Sequence, residues 1–301
     1  MMKSINLKHL FCVASLIVRT VALATETDGP VPAPSPNFYE RRPNVLVLHY
    51  TEVPLAQVLE IFCQGNRAAS HYTVSESGKV YQHVAETQAA KHAGTGSLSY
   101  WHGEDVNSSS IGIEVENLGP ISEPMLPGAE RRDPKWHPFV PGQISRVIAL
   151  CKELINRWGI PPENILAHSD VAPWRDTIPD VQGKIDPGPL FPWVELARQG
   201  IGIAYDPKSK KLVHGETEWD LPSASYTPEE ILHLQDRLSY WGYLVPQTGV
   251  LDARTCNVIR AFRMHYLGEW AIHVDDVMIR VLEGLIHWRD ARYRGVRTDC
   301  Q

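Results

Sequence analysis

The uninterrupted apolar run Asn44-Val45-Leu46-Val47-Leu48-His49 constrains this chain more than any other segment, because it reads as a buried β-strand that ends on a histidine. A second strand is predicted at Ser110-Ile111-Gly112-Ile113-Glu114-Val115-Glu116, where strict alternation puts Ile111, Ile113 and Val115 on one face. Gly112, Glu114 and Glu116 share the other face. His71–Ser75 and Val80–Val84 flank Glu76-Ser77-Gly78-Lys79, a hairpin pattern with its turn glycine. Helical spacing appears over Pro54–Gln64 (Leu55, Val58, Leu59, Phe62) and over Gln143–Trp158 (Ile144, Val147, Ile148, Cys151, Leu154, Ile155, Trp158). Gly159 and Pro161-Pro162 stop the second helix, and Ile165-Leu166-Ala167 forms a strand leading into His168. Strands alternating with helices give an α/β fold, a mixed central β-sheet flanked by helices.

At 301 residues the chain has room for two domains. Residues 25–43 are a flexible lead-in, 44–200 the α/β domain and 201–226 a polar, loop-like linker. Beyond Thr227-Pro228-Glu229-Glu230, where Thr227 can cap a helix, the stripes Ile231/Leu234/Leu238/Trp241, Val258/Ile259/Phe262 and Asp276–Trp288 give a small all-α three-helix domain over 227–301. A net charge of -6 without a dense Lys/Arg stretch excludes a nucleic-acid footprint. Lys3 and Lys8 precede the apolar stretch Leu10–Val18, and Ala22-Leu23-Ala24 supplies small residues, so 1–24 reads as a secretory signal peptide. Its core is too short to span a membrane, and the mature chain is expected to be an exported monomer without a transmembrane helix. Of the cysteines left, Cys63, Cys151, Cys256 and Cys300, the first two fall in amphipathic helices as buried thiols, and the pairing stays open.

His49, His168 and Asp186 stand out as residues that could share one metal ion. Two imidazoles and a carboxylate give zinc three ligands and leave a fourth position for water, the arrangement of a hydrolytic site. A strand end in an α/β fold opens into the crevice where ligands bind, which suits His49. Lys184 and Asp186 are two apart, so in extended chain both project to one side. Glu114, or Glu116 as the runner-up, offers the carboxylate base that amide hydrolysis needs.

His49-Tyr50-Thr51, Ser70-His71-Tyr72, His92-Ala93-Gly94, Ser110–Glu114, Ala167-His168-Ser169-Asp170-Val171-Ala172-Pro173 and Asp186–Trp193 occur in this order. Together they resemble the type-2 zinc N-acetylmuramoyl-L-alanine amidases, especially the AmiD-like branch, over about residues 44–195. The resemblance implies a mixed sheet with zinc in a groove, and cleavage of the amide joining the lactyl group of N-acetylmuramic acid to L-alanine. It implies His49, His168 and Asp186 as zinc ligands, Glu114 as the catalytic carboxylate and Lys184 as the cation holding the oxyanion. Lys91 stands where the family usually has tryptophan, and Trp174–Gly183 lengthens the link to Lys184. If the register does not recover after that loop, Arg175 supplies the cation instead.

The C-terminal helices resemble a three-helix peptidoglycan-binding domain, through Leu234–Leu238, Trp241-Gly242-Tyr243, Gly249–Asp252 and Ala261–Tyr266. The implied partner is peptidoglycan or its muropeptides, and the implied location the periplasm or cell envelope of a bacterium. A non-catalytic peptidoglycan-recognition module and an unrelated zinc peptidase or deacetylase are the competing readings. The absence of HExxH disfavours the last.

Overall fold

The computed structural model describes residues 41–65, 68–93, 106–121, 135–175, 178–224, 227 and 230–294, with the backbone alone for residues 175 and 178–182. The expected signal peptide, most of the expected lead-in, Cys300 and the expected helix start at Pro228-Glu229 lie outside the described residues.

The chain runs through β1 (Val45–Tyr50), α1 (Leu55–Cys63), the hairpin β2 (Tyr72–Val74) and β3 (Val80–Gln82), the single turn α2 (Val106–Ser109) and β4 (Ser110–Val115). It continues through α3 (Pro141–Trp158), β5 (Ile165–Ala167), the short α4 (His168–Val171), the hairpin β6 (Trp174–Arg175) and β7 (Ile178–Gln182), and α5 (Trp193–Arg198). The main sheet has the order β3-β2-β4-β1-β5. β1 lies parallel to both β4 and β5, β2 lies parallel to β4, and only β3 is antiparallel, so the sheet is mixed as expected.

β1 is apolar as far as Leu48 because strands cover both its edges and both its faces are packed. Leu46 and Leu48 join Ile111, Ile113 and the α3 residues Ile144, Val147 and Leu154 in one core. Val45 and Val47 join Ala93, Val106, Leu166 and Val171 in another on the opposite face. His49 continues this second face by the two-residue period, at the strand's C-terminal end. α3 ends at Gly159, whose φ of 69° lies in the left-handed region that glycine adopts without cost. Cys151 is buried on α3 as expected, but Cys63 is exposed because α1 buries only Val58. The Cys63 sulfur lies 3.8 Å from His83 Nδ1 instead.

Residues 201–226 are not a plain linker. They hold β8 (Ala204–Asp206), β9 (Lys211–His214) and β10 (Thr217–Asp220), an antiparallel sheet of order β10-β9-β8. Its two faces serve different cores. Ala204 and Val213 pack into the α3 side of the main sheet. Ile203, Tyr205 and Leu212 pack against α6 (Ile231–Trp241), α7 (Ala253–Phe262), the π-helical turn Arg263–Leu267 and α8 (Asp276–Tyr293). The helices form where their stripes predict them, yet the chain from Arg41 onward is one compact unit rather than two joined by a tether. No helix among the described residues is long and apolar enough to cross a membrane.

Because Leu212 is fully buried in the core of the helices, Leu212→Ala is expected to cost about 2–5 kcal/mol. Calorimetry should show the whole unfolding transition moving down as one. A variant in which only a minor early transition moves would show that the helices melt independently.

Candidate metal centre

The parallel register sets His49 beside Glu114, one strand over on the same face of the sheet. His168 opens α4 directly after β5, and Asp186 follows β7, its carbonyl accepting the Ser169 N–H at 3.0 Å. The extra segment Trp174–Gly183 is absorbed by the β6–β7 hairpin. Its base is closed by Gly183 N–H donating to Pro173 O (3.1 Å) and Lys184 N–H to Ala172 O (2.8 Å), and beyond it Asp186 stands where the sequence placed it.

His49 Nδ1, His168 Nδ1 and Asp186 Oδ2 converge, with separations of 2.9 Å between the imidazoles and 3.0 and 2.9 Å from them to the carboxylate. All three residues are buried. The state of His49 is fixed from behind. Its Nε2 lies 3.0 Å from His92 Nδ1, and His92 Nε2 lies 3.1 Å from Ser110 Oγ. The Ser110 hydroxyl donates to Val106 O, which can only accept. Each proton in this row must therefore point away from the cluster, so His49 Nδ1 turns a lone pair toward Asp186 Oδ2, itself an acceptor. His168 Nε2 is enclosed without a partner among the described residues, and Nδ1 is its atom that meets the cluster. Two imidazole nitrogens and one carboxylate oxygen packed this closely fit a divalent cation such as zinc.

The row was not legible as such from the sequence. His92 appeared only as part of a motif and Ser110 only as a strand residue. The signal was Gly112, where a Cβ would lie 2.5 Å from His92 Cγ, so only glycine leaves room for the ring over the strand.

Burial, and then the neighbouring His168, push the His49 imidazole down to about 4. Burial alone would raise Asp186, but the His168 imidazole beside it holds its carboxyl below the usual carboxylate range. Glu114 goes the other way. Burial pushes its carboxyl well above the usual range, Asp186 adds to the rise, and Lys184 opposes it. Its Oε2 is enclosed with no hydrogen-bond partner among the described residues. Lys184 is exposed and makes no hydrogen bond through its ammonium among the described residues, but its charge is felt at both His49 and Glu114. The side chain of Arg175, the alternative cation, lies outside the described residues.

Glu116, the runner-up base, turns away from the cluster. It lies one residue past β4, and its oxygens accept the N–H of Leu55 (2.7 Å), at the start of α1, and of Glu76 (2.9 Å), in the β2–β3 turn. Lys91 is exposed. Near the cluster, Trp136 packs against Tyr50 with ring centroids 6.4 Å apart and sits over Gly188, where a Cβ would come within 2.8 Å of its ring.

Glu116→Ala is expected to lower stability by about 1–2 kcal/mol through loss of these two contacts, read by urea denaturation, with metal affinity unchanged. A metal affinity that falls with Glu116 would place it in the cluster after all. Burial lowers His71 to about 4 as well and His92 well below its ordinary 6.5. The unfolded chain therefore takes up protons below about 6.5 that the folded chain refuses until near 4. Stability of chelator-treated protein should fall as pH drops through that window, and a flat profile would contradict the buried neutral imidazoles.

The N-acetylmuramoyl-L-alanine amidase family matches residues 39–189. N-acetylmuramoyl-L-alanine amidase AmiD of Escherichia coli is 37% identical over 235 residues, 75% of each chain. Among solved structures, the complex of E. coli AmiD with anhydro-N-acetylmuramic acid-L-Ala-D-gamma-Glu-L-Lys is similar at a TM-score of 0.65 and 31% identity, covering 87% of this chain and 94% of that one. AmpDh3 from Pseudomonas aeruginosa in complex with an anhydromuramic pentapeptide is similar at 0.62 and 25%, covering 89% and 99%. With the fold, the residue order and these likenesses in agreement, the chain belongs to the N-acetylmuramoyl-L-alanine amidases.

Proposed function

We propose that this protein hydrolyses the amide between the lactyl group of N-acetylmuramic acid and L-alanine, in peptidoglycan or its soluble fragments, with zinc held by His49, His168 and Asp186. The observation that carries the reading is the convergence of three buried donor atoms beside a carboxyl whose proton affinity is raised. The ligand named with the E. coli AmiD structure contains the bond in question, which supports the choice of substrate.

Bound zinc supplies Lewis-acid chemistry, polarising a carbonyl and acidifying water. Glu114 is the proton carrier. An enclosed carboxylate with raised proton affinity takes the proton of the water that adds to the lactyl carbonyl. It then returns that proton to the alanine nitrogen as the C–N bond breaks. Lys184 places positive charge where oxyanion charge develops, and the same charge opposes the rise in proton affinity at Glu114. His92 and Ser110 keep the His49 lone pair aimed inward throughout. The C-terminal helices are proposed to hold the wall polymer, and the N-terminal signal to export the chain to the bacterial envelope.

Mass spectrometry of muropeptide digests tests the assignment. Wild type should release free stem peptide and leave the glycan intact. Glu114→Gln should keep its zinc and lose about 10²–10⁴-fold in turnover. Products cut within the peptide or within the glycan would overturn it.

A further inference from the structure

Asp170 sits two residues after His168, on the same turn of α4, and is buried. Its Oδ2 accepts the Ala167 N–H at 2.7 Å, which fixes the bend from β5 into α4. Its remaining partners come from the C-terminal helical layer. The Tyr243 hydroxyl donates to Oδ1 at 2.6 Å, and His265 Nδ1 donates to Oδ2 at 2.7 Å. Both donors are as deeply buried as the carboxylate. Tyr243 follows the end of α6, and His265 lies in the π-helical turn after α7, a local widening of the helix that tends to accompany functional positions. His265 is itself held on both sides. Trp193 of α5 lies against it with ring centroids 3.9 Å apart, and Tyr266 stacks at 4.0 Å.

We propose that the C-terminal helical layer is a working part of the metal centre, with Tyr243 and His265 as positioning residues that hold Asp170 and thereby set His168 against His49 and Asp186. This inference rests on the zinc-amidase reading above. The chain of contacts is short and continuous. Asp170 and His168 share one four-residue helix, and the residue between them, Ser169, donates its N–H to the carbonyl of Asp186. A shift of α4 therefore moves one candidate ligand and loosens the backbone of another. A buried carboxylate cannot turn to water for replacement hydrogen bonds, so removing either donor leaves α4 to relax. Partners of this kind behind a metal site typically account for about 10–100-fold in metal affinity or activity. The layer thus has a role that does not depend on gripping the wall, and that role should be visible on a substrate too small to bridge the two regions.

The test uses the full chain, with Tyr243→Phe and His265→Gln. Zinc affinity is measured by competition with a chromophoric chelator, and kcat and KM on a soluble anhydro-muropeptide. Zinc binding should weaken about tenfold in each variant, with the loss of activity at saturating zinc in kcat rather than KM. The zinc-dependent rise in melting temperature should shrink, whereas a merely structural role lowers both melting temperatures together and leaves the zinc affinity alone. If His265→Gln fails to fold, Tyr243→Phe decides by itself, since it removes one hydroxyl from a ring that keeps its packing. Zinc affinity and kcat within twofold of wild type would overturn this inference while leaving the amidase reading intact. A wild type that takes up no zinc, or that cuts another bond, would overturn both.

Discussion

Two imidazole nitrogens and a carboxylate oxygen, all on buried side chains, lie within 3.0 Å of one another. His49 Nδ1 and Asp186 Oδ2 both present lone pairs to the cluster, and acceptors so close repel unless positive charge lies between them. Much of the surrounding structure can be understood as holding this arrangement. The row from His49 through His92 and Ser110 to Val106 O keeps protons out on one side. The Ser169–Asp186 backbone bond and the closed base of the β6–β7 hairpin keep the loop in register on the other. Gly112 is bare so that the His92 ring can lie across the strand.

The position of the cluster follows from strand alternation. β1 divides its side chains between a large core under α3 and a smaller one on the opposite face, and the reactive groups continue the smaller. A helix as long and apolar as α3 covers one face, which leaves the other for short turns, α2 and α4, whose ends deliver polar groups. The sheet β8–β10 then works as a shared partition. Leu212 and Val213 are adjacent in sequence and serve two different cores, so helices distant from the candidate metal ligands in sequence are fixed in one body with them.

Period and residue type made the fold and the donor set legible in the sequence. The apolar run before His49, the alternation at Ile111–Val115 and the α3 stripe each bury a face that only one secondary structure can present. The β8–β10 segment escaped because its apolar residues come in brief groups among Lys208, Lys210, Lys211, Glu216 and Glu218, too short for any period to show. Cys63 escaped because an amphipathic pattern over nine residues does not say how far the core reaches along the helix. The partners of Asp170 were invisible for a different reason. A hydrogen bond between residues 73 or 95 positions apart leaves no local pattern, and only the packing of α6 and α7 against α4 creates it.

The two carboxylates of the β4 region show why spacing alone could not assign a base. Glu114 and Glu116 are two residues apart and were expected on one polar face, equal by period. Their surroundings separate them. Glu116 lies past the last residue of β4, and its oxygens are taken up by two backbone N–H groups away from the cluster. Glu114 is still in the ladder opposite His49, half-buried, with its enclosed Oε2 unpartnered among the described residues and the negative Asp186 near it, so its affinity for a proton rises. A general base must want the proton it takes and yet give it up, which requires a neighbouring cation to temper the rise. Lys184 is the candidate for this, since its charge opposes the rise at Glu114, and it is placed by the same Ala172 backbone bond that closes the hairpin before Asp186. The loop that delivers the candidate third ligand thus also delivers the charge that acts on the candidate base.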